Sequence, residues 1–487
     1  MQRNREIPVL SRALWSILLL LLFCVVNFTC TQKGGFSSSG YTITVSFTGE
    51  WREDSVYFYS YIGETEQRKD SLLMGTDQQV IFHGDEYLEA GMYTIKSKYC
   101  PIGIDFFISA GASQKFKITY NPSEGIPSLK VSGSPENKAF MDYMKFSSSK
   151  QEERLRLEAH WREKANIPDS AEAIRLRINQ LIKEVELYSA TQVKKHSATT
   201  FALFLRSIQE VEAPTPDIPD NAANRDSLLQ LYYYHFYKEH YLDNIDFADE
   251  RTIRMPFIER KLQMYFFRVL PPDKDVLCEQ VDAVLAKTNN NREVYEFVVR
   301  DLYGLFRDTP FPELYQVAIY IGDNYVLKES EKWEDKEYVA KMSVAIRAAK
   351  LHPLGQPATD LHLQTSTGKN LSLHNLQSPY TLLYFYDPDC ASCNAMTPEV
   401  YRLYMEYRHK GLQVYAVYIE GNKEIWEKYI NEHKYQWIDV WDEHNNQNLY
   451  EKYDLHAIPM MLLLDKNKVV LAKDFLPDML EYLLKQL

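Results

Sequence analysis

Apolar and polar positions follow three successive patterns along the chain. In the first, Tyr41, Ile43, Val45 and Phe47 alternate with Thr42, Thr44 and Ser46. A period of two predicts a strand with one buried face. Val56–Tyr59, Tyr93–Ile95, Phe106–Ile108 and Phe116–Ile118 are similar β-rich runs, with glycines at 49, 63, 75, 84, 91, 103 and 111 at turn-like intervals. Short strands at this spacing predict a β-sandwich-like domain over residues 41–132.

The period changes at Gly133. Ser134-Pro135-Glu136-Asn137 has Ser at a cap position and Pro just inside, a helix start. Gln151–Lys164, Ser170–Ser189, Arg225–Glu239, Glu250–Val269, Val276–Lys287 and Arg292–Arg307 all read as helices, and prolines at 214, 216, 219, 271, 272, 310 and 312 separate the later ones. The expectation is an all-α domain over 133–350, its tyrosines and phenylalanines serving as core rather than as a ligand groove.

The third pattern, over 353–487, mixes both periods. Leu361-His362-Leu363 and Leu371-Ser372-Leu373 alternate, and Thr381–Tyr386 is a continuous apolar and aromatic run. Such a run reads as a strand buried on both faces. A helix over Cys393–Lys410, a strand over Leu412–Ile419 and a helix over Glu424–His433 follow. Met460–Leu464 and Val469–Lys473 make a hairpin, and Asp478–Gln486 closes the chain as a helix. Strands alternating with helices predict an α/β fold. Three such regions suit a chain of 487 residues.

The N-terminus has a different pattern. Arg3, Arg5 and Arg12 precede an apolar run from Ala13 to Val26. A basic stretch before a short apolar core is the secretory pattern, predicting a signal peptide over 1–29. The run falls short of the roughly 20 residues of a spanning helix. Cys30 follows in Asn27-Phe28-Thr29-Cys30, with a Gly/Ser-rich tether over 30–40. A cysteine there resembles the lipid-attachment site of bacterial lipoproteins. That likeness implies lipidation of Cys30, a membrane anchor, and a periplasm-facing or surface place in the cell envelope of a Gram-negative bacterium.

Composition narrows the function classes. A net charge of −12 argues against a nucleic-acid surface, and six cysteines are too few to staple 487 residues. No second apolar run is long enough for a polytopic membrane protein.

The chemistry lies at Cys390-Ala391-Ser392-Cys393, between a buried strand and a helix. A thiol at a helix N-terminus meets unpaired N–H groups and the positive end of the dipole, which favour the thiolate. The thiolate is the attacking species in disulfide exchange. A second thiol one turn inward is near enough to resolve the mixed disulfide. Structural zinc would need a second ligand pair, and neither another C-x-x-C nor an H-x-x-x-H exists, so no metal is expected. The P-x-x-x-T/S-x-x-C frame of peroxiredoxins fits neither cysteine. Asp387 and Leu383 stand at its Thr/Ser and Pro positions before Cys390, and Cys390 and Tyr386 before Cys393.

Residues 353–487 resemble a thioredoxin-fold domain of the branch containing the envelope-anchored TlpA- and ResA-like thiol-disulfide oxidoreductases. Gly355, Ala358, Asp360 and Gly368-Lys369 match that branch's opening strands. Tyr384-Phe385-Tyr386 with the C-x-x-C matches its active-site strand and turn, Pro398 its helix-kinking proline, and Ile458-Pro459 its cis-proline. The resemblance implies Cys390 as nucleophile, Cys393 as resolving thiol, and Ile458 and Pro459 as the backbone that receives an extended substrate. It implies no cofactor beyond the redox-active disulfide of Cys390 and Cys393. Partners would be protein thiols and disulfides and an envelope electron donor. The preceding β and helical regions resemble uncharacterised domains found before thioredoxin modules in lipoproteins of Gram-negative anaerobes.

Five positions depart from the family, two of them Ala391-Ser392 in the spacer where Gly-Pro is usual. Asp389 replaces the usual Trp before the first cysteine, Tyr384 the buried acid of many thioredoxins, and Met396 the Glu of ResA-like proteins. Asp389 is expected to oppose the thiolate at Cys390, and neither acid is available to take the proton of Cys393. The reading is an exported thiol-disulfide oxidoreductase, a reductase or isomerase, acting on protein disulfides. The alternative is a non-catalytic envelope binding module that uses the thioredoxin fold as a scaffold. Cys100 and Cys278 read as isolated buried thiols.

Overall fold

The computed structural model describes residues 40–49, 54–98, 100–164, 168–219, 221–222, 224–288, 291–309, 314–442, 447–455, 458–473 and 475–486. The expected signal peptide, Cys30 and nearly all of the tether lie outside them. No helix among the described residues is long and apolar enough to cross a membrane. The chain divides into two compact units between Arg206 and Ser207.

The first unit opens with eight strands, β1 (Tyr41–Phe47), β2 (Ser55–Ile62), β3 (Thr65–Leu73), β4 (Gln79–Gly84), β5 (Gly91–Ser97), β6 (Cys100–Ile108), β7 (Lys115–Tyr120) and β8 (Lys130–Ser132). They form two four-stranded sheets, ordered β4-β1-β7-β8 and β3-β2-β5-β6. The period of two in β1 does what it predicts, burying Ile43, Val45 and Phe47. Phe58 against Phe82 (5.3 Å) and Phe106 against Phe116 (5.5 Å) join the facing sheets.

Among the described residues three helices follow, α1 (Pro135–Lys164), α2 (Pro168–Lys195) and α3 (Thr200–Ile208), whose last two residues lie past the boundary. Helix α2 runs back along α1, with Lys150 paired to Glu184 and Arg177 to Glu153. The Ser-Pro-Glu-Asn start of α1 ties helix to sheet. Ser134 Oγ accepts the Asn137 N–H at 3.2 Å. The Asn137 carboxamide accepts from Phe107 N (2.7 Å) and donates to Phe107 O (2.8 Å). Glu136 accepts from Ser109 Oγ and from Phe201 N, both at 2.9 Å.

The second unit begins with α4 (Arg225–His240), α5 (Ile258–Met264), α6 (Lys274–Lys287), α7 (Arg292–Arg307), α8 (Tyr315–Ile321) and α9 (Lys336–Lys350). Asp273, Asn291 and Asp335 cap α6, α7 and α9 through side-chain oxygens. Helix α7 buries Val294, Val298, Val299, Leu302, Tyr303 and Phe306. Cys278 is buried on α6.

The rest of this unit is β9 (His362–Thr365), β10 (Asn370–Ser372), β11 (Tyr380–Tyr386), α10 (Ala391–Tyr407), β12 (Leu412–Tyr418), α11 (Lys423–His433), β13 (Ile438–Trp441), α12 (Leu449–Tyr453), β14 (Met460–Leu464), β15 (Val470–Lys473) and α13 (Pro477–Gln486). One seven-stranded sheet runs β10-β9-β13-β12-β11-β14-β15. Strand β11 lies inside it, parallel to β12 and antiparallel to β14. Its side chains feed both faces. Leu382, Tyr384 and Tyr386 pack with α10, α11 and α13, and Leu383 and Phe385 pack with Leu361, Leu363, Leu449 and Tyr453. Strand β13 and helix α12 are additions to the expected elements. At β13 the sequence reads Ile438-Asp439-Val440-Trp441, four residues with an acid inside, which is too short and too polar to signal a buried strand.

Candidate active site

Strand β11 ends at Tyr386, and Asp387-Pro388-Asp389 turns the chain into α10. The Cys390 N–H donates to Asp387 O (3.1 Å), the Asp389 N–H to the Asp387 carboxylate (3.1 Å), and the Asn394 carboxamide to Pro388 O (2.6 Å). One backbone bond and two side chains, Asp387 and Asn394, therefore hold the turn. Cys390 itself is the cap of α10, with extended backbone, so the helix begins at Ala391 rather than at Cys393. Its Sγ accepts the Cys393 N–H at 3.3 Å, in the place where a Ser or Asp oxygen usually caps a helix.

Both cysteines are free thiols, Cys390 half-buried and Cys393 buried. Burial pushes the Cys393 thiol up to about 12, against a lowering hydrogen bond from the Asp387 backbone. The neighbouring Cys390 side chain and the Asp387 carboxylate add to the rise. The pair is thus asymmetric, with one half-exposed sulfur at a helix start and one buried thiol whose pKa is raised.

Across from the turn, the Ile458–Pro459 peptide bond is cis. The Ile458 carbonyl lies 3.9 Å from Cys390 Sγ. Cys390, Cys393, Ile458 and Pro459, which lie far apart in sequence, meet at one end of the sheet. Pro398 lies within α10.

Tyr384, at the position where an acid was missing, sends its hydroxyl to Thr397 (2.8 Å), and Thr397 Oγ1 donates to the Cys393 carbonyl (2.7 Å). Burial raises that phenol above its usual range. Met396 is half-buried on α10.

Sequence reasoning missed Asp439 on β13. Its Oδ1 accepts from Tyr386 OH (3.1 Å) and Trp437 Nε1 (3.0 Å), and Trp426 Nε1 donates in turn to Tyr386 OH (3.2 Å). Burial pushes this carboxyl up to about 7, while the Trp437 and Tyr386 hydrogen bonds pull it down. The register Tyr384–Ala416–Asp439 sets it on the face of the sheet that Cys393 packs against. The only sequence signal was an acid flanked by tryptophans. Among the described residues, no group of three or more His, Cys, Asp or Glu side chains is placed to hold a metal ion.

A family model described as thioredoxin-like matches residues 378–470. The thiol-disulfide oxidoreductase ResA of Oceanobacillus iheyensis is 27% identical over 88 residues, 17% of this chain and 46% of that protein. ResA of Halalkalibacterium halodurans is 21% identical over 113 residues, 23% of this chain and 63% of that protein. The chain thus spans about half to two thirds of the length of these relatives. A crystallised domain of a possible thiol-disulfide isomerase from Cytophaga hutchinsonii is 37% identical, with 28% of this chain and 94% of that domain covered at a TM-score of 0.27.

Proposed function

We propose that this chain, whose residues 378–470 match a thioredoxin-like family model and which is related there to thiol-disulfide oxidoreductases, exchanges disulfides with protein substrates. Cys390 attacks a substrate disulfide as the thiolate. One substrate sulfur leaves as a thiolate and takes a proton, and a mixed disulfide remains. Cys393 then loses its proton and attacks Cys390 Sγ. The second substrate sulfur leaves, and the pair ends as the Cys390–Cys393 disulfide. Two electrons have passed to the substrate, and an envelope electron donor must return them.

The observation that carries this reading is the asymmetry of the pair. A half-exposed sulfur caps α10, 3.3 Å from the N–H of a buried partner thiol. A protonated inner thiol does not compete with Cys390 for substrate, and it becomes useful only after the mixed disulfide has formed. The half-buried Ile458-Pro459 backbone would receive the substrate chain beside the sulfur. Direction is proposed as reduction or isomerisation, on the resemblance of the sequence to the TlpA- and ResA-like branch. Export through the N-terminal segment, with lipidation at Cys30, would place the domain in the envelope.

Insulin-disulfide reduction tests the assignment. Cys390→Ser is expected to lower the rate by at least about a hundredfold. Cys393→Ser is expected to accumulate a substrate mixed disulfide, visible by mass on a non-reducing gel. Undiminished reduction by Cys390→Ser would sink the reading.

A further inference from the structure

The joint between α9 and the thioredoxin-like region is built around one imidazole. Helix α9 ends at Lys350, leaving carbonyls that need outside donors. Lys473 of β15 supplies them, its Nζ donating to Ala348 O (3.5 Å), Ala349 O and Leu351 O (2.6 Å). The next residue, His352, has a φ of +46°, in the left-handed region that side chains disfavour. Its ring stacks on Tyr453 of α12 with centroids 4.1 Å apart. Nε2 lies 2.8 Å from Lys452 O, and Nδ1 accepts the Thr359 N–H at 3.4 Å. His352 is only 8% exposed. A carbonyl on one side and an N–H on the other admit one state, the neutral ring with its proton on Nε2.

We propose that His352 is a proton-operated latch, which clasps the end of α9 and the Thr359 segment to α12 as the neutral ring and releases them when protonated. A proton on Nδ1 removes the acceptor and aims one N–H at another. Tyr453 extends the consequence. Its hydroxyl donates to Thr359 O, and its ring packs on Phe385 of β11 at 4.8 Å. The latch therefore grips a side chain that touches the strand leading to the thiol turn.

The charged groups around the ring do not favour a cation. Burial, helped by repulsion from Lys473 on β15, holds the imidazole below its ordinary value, against the raising hydrogen bond to Lys452 O. Arg347 on α9 faces Asp454, just after α12, at 4.0 Å. Asp360, after Thr359, is held by Ser372 Oγ and the His374 N–H. Lys350 is paired with Asp323, and the Lys452 ammonium reaches Gln447. A ring whose folded pKa is depressed contributes its stability above the unfolded value of about 6.5 and loses it as pH falls below that.

Hydrogen exchange of the full chain tests the latch, with peptides covering 348–362 compared at about pH 7.5 and about pH 5 after correction for intrinsic rates. Protection is expected to fall about tenfold on acidification. In His352→Gln, whose carboxamide donates to Lys452 O and gains no proton, protection is expected to hold at both pH values. Equal protection of the unaltered chain at both pH values, or an equal loss in His352→Gln, overturns the proposal. If His352→Gln is unprotected at both, the imidazole NMR titration of the unaltered chain decides. A midpoint below 6.5 that coincides with loss of the Thr359 amide supports the latch, and a midpoint at or above 6.5 overturns it.

Discussion

Asp439 keeps its carboxyl among rings, with Tyr386 and Trp437 as donors and burial pushing it from 3.8 to about 7. The folded state therefore binds this proton more tightly than the unfolded chain. Its contribution is favourable at low pH and is lost as pH rises from about 4 to about 7. Asp439→Asn keeps the Oδ1 acceptor and removes the ionisation. At roughly 1.4 kcal/mol per unit, the variant should exceed the unaltered protein by up to about 4 kcal/mol above pH 7, and match it near pH 4. Urea unfolding at both pH values checks this, and an equal difference at the two would show that ionisation is not the cause. Thiol reactivity is a second property set residue by residue. Burial pushes Cys278 up to about 11 and Cys393 up to about 12. Alkylation at about pH 8, followed by mass mapping, should label half-exposed Cys390 at least about a hundredfold faster than either.

Individual elements follow their local sequence where capping and period agree. The Ser134-Pro135-Glu136-Asn137 start is the clearest case, because its side chains do more than begin a helix. Asn137 is wholly buried and satisfies both backbone groups of Phe107. Asn137→Ala leaves a buried N–H and a buried carbonyl without partners, which should cost about 3 kcal/mol in chemical unfolding. A loss below about 0.5 kcal/mol would mean that water replaces the carboxamide. The helix start was readable from the chain, but its hold on β6 was not, since that depends on a contact across 30 positions. The same limit applies at the site. Cys390 and Cys393 stood out because a strand and a helix bracket them, whereas Pro459 stood out only through its likeness to a family's cis-proline, and the structure brings the three together. Asp439 was hidden because β13 is four residues long, and its partner Tyr386 stands 53 positions earlier. Helix α12 was hidden for a similar reason, being five residues long with only Leu449 and Tyr453 buried, too short to show a helical period.

At the scale of the whole molecule, two units each bring their own core. Sequence composition separated the β-rich, helical and mixed stretches. It did not show that the helices before Arg206 group with the strands, while those after Ser207 group with the seven-stranded sheet. That sheet fixes the site by a simple rule. Strand β14 runs opposite to β11, pairing Phe385 with Met460 and Thr381 with Leu464. The end of one strand is therefore the beginning of the other, so the turn carrying Cys390 and the Ile458-Pro459 bond meet at the same edge. Nothing in that meeting depends on how much chain lies between them. The connections between Tyr386 and Met460 can gain or lose residues over evolutionary time, provided that the two strands keep their alignment. Descendants of this chain should vary widely in the length separating their thiol turn from their proline, and still bring the same atoms face to face.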